Sequence, residues 1–340
     1  MGYYARKRRD FEAEGRHAKQ TKPDSFKQVT RRLVAIAVPI TIGASIMPLT
    51  QNMDSIMVVN RLTNIGYDQT VAKEALGLLK GSVNPLINMP AVLTLALCMS
   101  LVPAISAAVA AKKQKDMRQA ASVGIKLAII IGLPCSVGFF VLAEPILALL
   151  FHSSLSGQNL SIAAELLRVM SVGVLFLSLV QSVTGILQGL GKPGVAVVNL
   201  AIGAALKLII SFVLIGIPKI NIIGAAVGTC ACYAVAGILD TAQAVRRTQM
   251  DFSVVNCIVK PVAAAFCMGA FAYFAYFAFL EHAIGPRAGV LVTILVAAFV
   301  YICILVGTKT FTKADFALIP GGDRLYNLLR HIGIYENRGE

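Results

Sequence analysis

Residues 181–233 read QSVTGILQGLGKPGVAVVNLAIGAALKLIISFVLIGIPKINIIGAAVGTCACY. Two apolar runs flank the hexapeptide GLGKPG at 189–194, and a third follows the short break PKIN at 218–221. About 20 apolar residues cross a hydrocarbon core of about 30 Å as a helix, because lipid offers a backbone amide no partner outside its own helix. Each of these runs meets that length, so the stretch predicts successive membrane helices joined by tight hairpins.

The same reading extends in both directions. Spans are expected at 33–59, 83–110, 122–151, 162–190, 194–216, 222–245, 258–280 and 288–307, giving an all-α polytopic membrane protein of about eight transmembrane helices. Composition agrees: 57% of the 340 residues are hydrophobic, 14% are charged, and mean hydropathy is +0.74. That is too apolar for a soluble domain and excludes disorder for most of the chain. The net charge of +14 reads as topogenic, with no nucleic acid as partner, since Lys and Arg gather on alternate connections, 22 against five. Both termini are therefore expected on the cytoplasmic side, with a basic cytoplasmic segment at 1–32 and a cytoplasmic amphipathic tail at 308–340. The polar start implies no cleavable signal peptide, leaving the first span as its own insertion signal. Residues 66–81, with Val71, Ala75, Leu78 and Leu79 at helical spacing, are expected to form a short helix at the outer surface.

Motifs for enzyme chemistry are weak. GLGKPG satisfies G-x-G-x-x-G, but a dinucleotide site needs a strand before it, and here apolar helices flank it. Lys192 is followed by Pro193, so no Walker A is formed. His17, His152, His282 and His331 lie in tails or loops, without H-E-x-x-H spacing, and no enzyme activity, cofactor or metal site is expected. The seven cysteines contain no C-x-x-C pair and read as small buried hydrophobes. Gly185-x-x-x-Gly189 and Gly224-x-x-x-Gly228 read as close-approach patches between helices.

Polar residues inside spans carry more information. Asp54, preceded by Gln51 and Asn52, lies within the first span, where a carboxylate needs a partner or a cavity. Lys207 stands far enough inside its span to make snorkelling difficult, so Lys207 and Asp54 are expected to neutralise one another across the bundle. Asn84 and Asn88, one turn apart, can share a face. Arg61 closes the first span as an interfacial anchor or a substrate-facing cation. Gln181, Gln188 and Asn199 read as interhelical hydrogen-bonding groups, with substrate contact as the alternative. Lys126, Arg168 and Lys260 read as snorkelling cations, and the aromatic span 258–280 as lipid-facing.

With 181–233, the segments VPITIGASIMPLTQNMDSIMVVNRL (38–62), NPLINMPAVLTLALCMSLVPAISAAVA (84–110) and VLAEPILALLF (141–151) complete a resemblance to the polysaccharide-flippase branch of the multidrug/oligosaccharidyl-lipid/polysaccharide exporters. The resemblance implies a second transporter lobe of six helices at 33–245, two additional helices at 246–307, and a linker-like start at 1–32, so that a first lobe is absent from this chain. It implies flipping of a lipid-linked sugar diphosphate, a cell-wall or polysaccharide precursor, across a bacterial cell membrane, with membrane lipid and a separate polypeptide supplying the first lobe as partners. The family's carboxylate matches Asp54 and a further ligand matches Thr229. Lys207 and Ser211 stand where an Asn and an Asp are expected, a departure that makes the Lys207 ammonium a candidate substitute for a coupling ion. The candidate site residues are thus Asp54, Lys207, Arg61, Asn52, Asn84, Asn88, Gln188, Asn199 and Thr229. A multidrug or cation-antiporter exporter and a non-transporting scaffold are the alternatives.

Overall fold

A computed structural model describes residues 25–152, 154–250, 254–308 and 310, so most of the expected linker-like start (1–24 of 1–32) and most of the expected tail lie outside the described residues, while helix already runs from Phe26. Among the described residues every regular element is helical. In chain order these are α1 (Phe26–Asn64), α2 (Gln69–Ala110), α3 (Gln114–Val141), α4 (Ala143–Leu150), α5 (Gly157–Gly189), α6 (Pro193–Ile215), α7 (Ile223–Thr248), α8 (Val255–Ala283) and α9 (Pro286–Gly307). Seven of them, α2, α3 and α5 to α9, are long and apolar enough to cross a membrane. The 39-residue α1 covers the expected first span, and the chain is a multi-pass membrane protein.

Two expected boundaries are corrected. Residues 66–81 do not form a separate surface helix, because Gln69–Gly77 runs through a π-helical turn at Leu78–Val83 straight into the rest of α2. Nothing in that stretch breaks a helix, and Leu78, Leu79 and Val83 are buried, which anchors the turn against the bundle. Asp68 caps the start: the Thr70 amide donates to its Oδ2 at 2.9 Å, and this bond holds the carboxyl below the usual aspartate range. The expected span 122–151 is two helices, α3 and α4, with the break at Leu142. Pro145 explains it, since its ring has no amide for the carbonyl of Val141 and would clash there.

α5 is the central helix, packed against α2, α3 and α7, while α6 lies between α7 and α1, and α8 and α9 pack together beside α3. Small residues permit the closest approaches. A Cβ on Gly185 would stand 2.7 Å from Cys98 Sγ and one on Gly189 2.8 Å from Ile105 Cβ, which is how α5 seats on α2. A Cβ on Gly203 would stand 2.7 Å from the Cys232 carbonyl oxygen, and one on Gly224 2.7 Å from the Ile215 nitrogen, so α6 and α7 meet backbone to backbone. The two G-x-x-x-G stretches therefore act as packing surfaces.

Cys267 and Cys303 are exposed, which corrects the view of all seven cysteines as buried. On α8, Phe266, Phe274 and Phe279 face outward whereas Tyr276 is buried. Lys126 also departs from expectation: it does not snorkel, but is 4% exposed and donates through Nζ to the Thr310 carbonyl at 2.5 Å. Lys260 donates to the Thr308 carbonyl at 2.9 Å, so two cations meet carbonyls at the C-terminal end of α9, where helical carbonyls lack partners.

Candidate functional site

α1 and α6 place opposite charges at one level of the bundle. Lys207 on α6 is 2% exposed and Asp54 on α1 is 7% exposed, and Lys207 Nζ is ion-paired with Asp54 Oδ2. Each charge supplies what the other needs in an interior that solvates neither. The pair is not fully satisfied, because Asp54 Oδ1 and the neighbouring buried Ser211 Oγ have no partner. Thr229, on α7, donates instead to the Ala225 carbonyl at 2.9 Å, within its own helix. Gly228 lets α7 close on this level: a Cβ there would lie 2.1 Å from Ser211 Oγ and 3.0 Å from the Lys207 carbonyl oxygen.

Arg61 stands farther along α1 and reaches the end of α6. Its Nε donates to the Phe212 carbonyl at 3.2 Å and its guanidinium lies 4.0 Å from the centroid of the Phe212 ring. It thereby ties the ends of two helices by a hydrogen bond and a cation–π contact. Between α1 and α6, an open apolar groove of about 580 Å³ on the outer face is lined by Met53, Ile56, Met57, Leu208, Ile209 and Phe212.

The remaining candidates do not converge on the ion pair. Asn52 on α1 and Asn88 on α2 are exposed, and Asn84 on α2 is half-buried. Gln188 is half-buried near the α5–α6 hairpin. Asn199 belongs to another level of the bundle, where its Nδ2 donates to Asp240 Oδ1 at 2.7 Å. Gln181 meets Thr94 Oγ1 at 2.5 Å, so both Asn199 and Gln181 bond between helices.

Two side chains not singled out from the sequence join these. Lys80, carried by the π-helical turn of α2, bonds to the Gln51 carbonyl at 3.1 Å and to Ser55 Oγ on α1. Asp240 is wholly buried. A carboxylate in the apolar run ILDTAQAV was the signal for the second, whereas Lys80 is indistinguishable from a loop cation until the turn is seen.

The MatE family model matches residues 73–213, which takes in α2 through most of α6. Among curated proteins it is 27% identical over 314 residues to an uncharacterized membrane protein, YabM, of Bacillus subtilis (strain 168), covering 89% of this chain and 56% of the relative. It is 30% identical over 200 residues to stage V sporulation protein B of the same organism, covering 59% and 37% of the two chains. With the Bacillus subtilis lipid II flippase MurJ it shares 27% identity over 209 residues, covering 62% and 38%. The chain thus spans between about a third and just over half of these relatives' lengths. Its fold is similar to the crystal structure of a MATE protein in the bent conformation, with TM-score 0.56 and 16% identity, covering 89% of this chain and 69% of that one. The expected resemblance to the exporter superfamily agrees with these matches.

Proposed function

We propose that residues 33–245 form one six-helix lobe of an alternating-access transporter that moves a lipid-linked anionic precursor, of the sugar-diphosphate class, across the membrane, with residues 246–307 as two additional helices. The observation that carries this reading is the buried Asp54–Lys207 pair joining α1 to α6. A charge pair between helices of a bundle is a two-state contact: whole, it holds the helices together, and broken, it leaves each charge to a new partner. In this reading the tethered ammonium does the work of a coupling cation at Asp54.

The substrate class follows from the surroundings of the pair. Lys80 and Arg61 are the cations on its flank, and the apolar groove on the α1–α6 side suits a hydrocarbon chain. An anionic head and an apolar tail are the two halves of an isoprenoid-linked sugar diphosphate. The relative named as a lipid II flippase supports the same class. An opposing lobe, from a separate polypeptide or from further sequence, is part of this reading.

The bare Asp54 Oδ1 and Ser211 Oγ favour a second reading, a cation-coupled exporter in which a mobile ion displaces the ammonium. Complementation separates the two. Expressed with a cognate first lobe in cells depleted of lipid II flippase, the chain should restore growth without conferring drug resistance. Drug resistance without rescue supports the exporter, and failure of both removes transport.

A further inference from the structure

Asp240, on α7, is 0% exposed, and among the described residues no cation reaches it. Asn199 of α6, 3% exposed, donates through Nδ2 to Oδ1 at 2.7 Å, and Gln243 Nε2 donates to Asn199 Oδ1 at 3.3 Å. The other carboxyl oxygen, Oδ2, is buried with no partner at all. An ionised carboxylate left in that state is among the most unfavourable arrangements a bundle interior can hold.

The charged groups on the elements around it are otherwise engaged or distant. On α6, Lys207 is spent on Asp54, and Lys192 lies exposed before the first turn. On α5, Arg168 pairs with Glu144 at 3.8 Å toward the opposite end, where Glu165 also lies. On α3, Arg118 donates to the Thr248 carbonyl and to Gln249, and Lys126 to the Thr310 carbonyl. Arg246 and Arg247 of α7 itself point to the surface, exposed. Cys230, Cys232 and Tyr233 lie about two turns back on α7, where Cys230 donates to the Val169 carbonyl.

We propose that Asp240 is a proton-binding site, held as the neutral carboxylic acid, with the O–H on Oδ2 while Oδ1 accepts from Asn199. A metal cation is the poorer occupant, because it requires several oxygens and Asn199 Oδ1 is already taken by Gln243. Thr241 Oγ1 is also unpartnered, but adjacent residues on a helix face different ways, so it does not complete a shell with Oδ2. The proton is exchanged with water at the end of the bundle where α6 begins and α7 finishes. Losing it bares a charge between the two helices, so this contact closes when the site is protonated and loosens when it is not. The site does not depend on the transport reading, since it stands on proton occupancy alone.

Infrared spectroscopy of the full chain in lipid nanodiscs tests it. At neutral pH the native chain should show the carbonyl band of a protonated acid, lost in Asp240→Asn and kept in Asp54→Asn. Identical spectra for the native chain and Asp240→Asn would overturn the proposal. Should Asp240→Asn not fold, Asn199→Ala decides, because removing the bond to Oδ1 moves the acid band to higher frequency, and an unmoved band contradicts the assignment. Thermal unfolding adds a second readout. A folded state holding one more proton than the unfolded chain loses stability as pH rises, so the melting temperature of the native chain should fall with pH more steeply than that of Asp240→Asn. Equal slopes would overturn it.

Discussion

Lys207 Nζ rests on Asp54 Oδ2 inside the bundle, so two helices far apart in sequence are joined by charges that neither lipid nor water stabilises. Removing either partner alone strands the other, and breaking a buried pair in this way costs about 3 to 5 kcal/mol. Lys207→Met and Asp54→Asn should each lower the melting temperature in detergent markedly. The double variant, with no stranded charge, should recover most of the loss. A double variant as unstable as the sum of the singles would show that the two side chains act separately.

Gly203 and Gly228 both sit where α6 meets α7, yet they meet different atoms. A Cβ on Gly203 runs into the Cys232 carbonyl oxygen at 2.7 Å, which backbone cannot yield, whereas the 2.1 Å contact from Gly228 is to the Ser211 hydroxyl, which can rotate away. Gly203→Ala should therefore destabilise by about 1 to 3 kcal/mol, and Gly228→Ala by less. Adding Ser211→Ala to Gly228→Ala should restore stability further. Equal losses for the two glycine variants in a denaturation series would contradict this packing.

Lys126 holds the Thr310 carbonyl at the end of α9. Lys126→Met removes the donor, and an unsatisfied buried carbonyl costs about 1 to 3 kcal/mol. Hydrogen exchange should accelerate in the last turn of α9 while α5 is unchanged. Uniform acceleration across the bundle would mean that Lys126 serves the whole fold instead of one end.

Asp68 gives a pH-dependent cap. The Thr70 amide holds its carboxyl below the usual aspartate range, so the capping bond is fully formed above that range and is lost as pH falls through the lowered value. The Thr70 amide resonance should report this as an acid-side transition, absent in Asp68→Asn. A transition at the ordinary aspartate value would show that the bond is not formed in solution.

Much of this architecture is legible in residue order because a membrane span needs only length and apolarity, and the runs around GLGKPG supply both. The Asp54–Lys207 contact is legible for the same reason, since an intramembrane charge demands a partner and each is the other's nearest chemical answer. The break at Leu142 is less so: Pro145 lies in an apolar run that reads as continuous span, and only the loss of a backbone bond at Val141 divides it. Asp240 is obscured by Gln243, Arg246 and Arg247, which make its surroundings look like a span end. Its meaning rests on Asn199, 41 residues away, which only the packing of α6 on α7 brings to it. Lys80 is hidden likewise, because a π-helical turn, for which the sequence offers no strong signal, returns it to α1.

The central claim is that the Asp54–Lys207 pair is part of a transport cycle and not only a structural clamp. Vesicles containing the chain with a cognate first lobe, loaded with a fluorescent isoprenoid-linked sugar diphosphate, measure it directly through the rate at which label appears in the opposite leaflet. The account predicts translocation by the native pair of lobes and its loss in the folded Asp54→Asn, Lys207→Met double variant. Equal rates for the native chain and that stable double variant would contradict it.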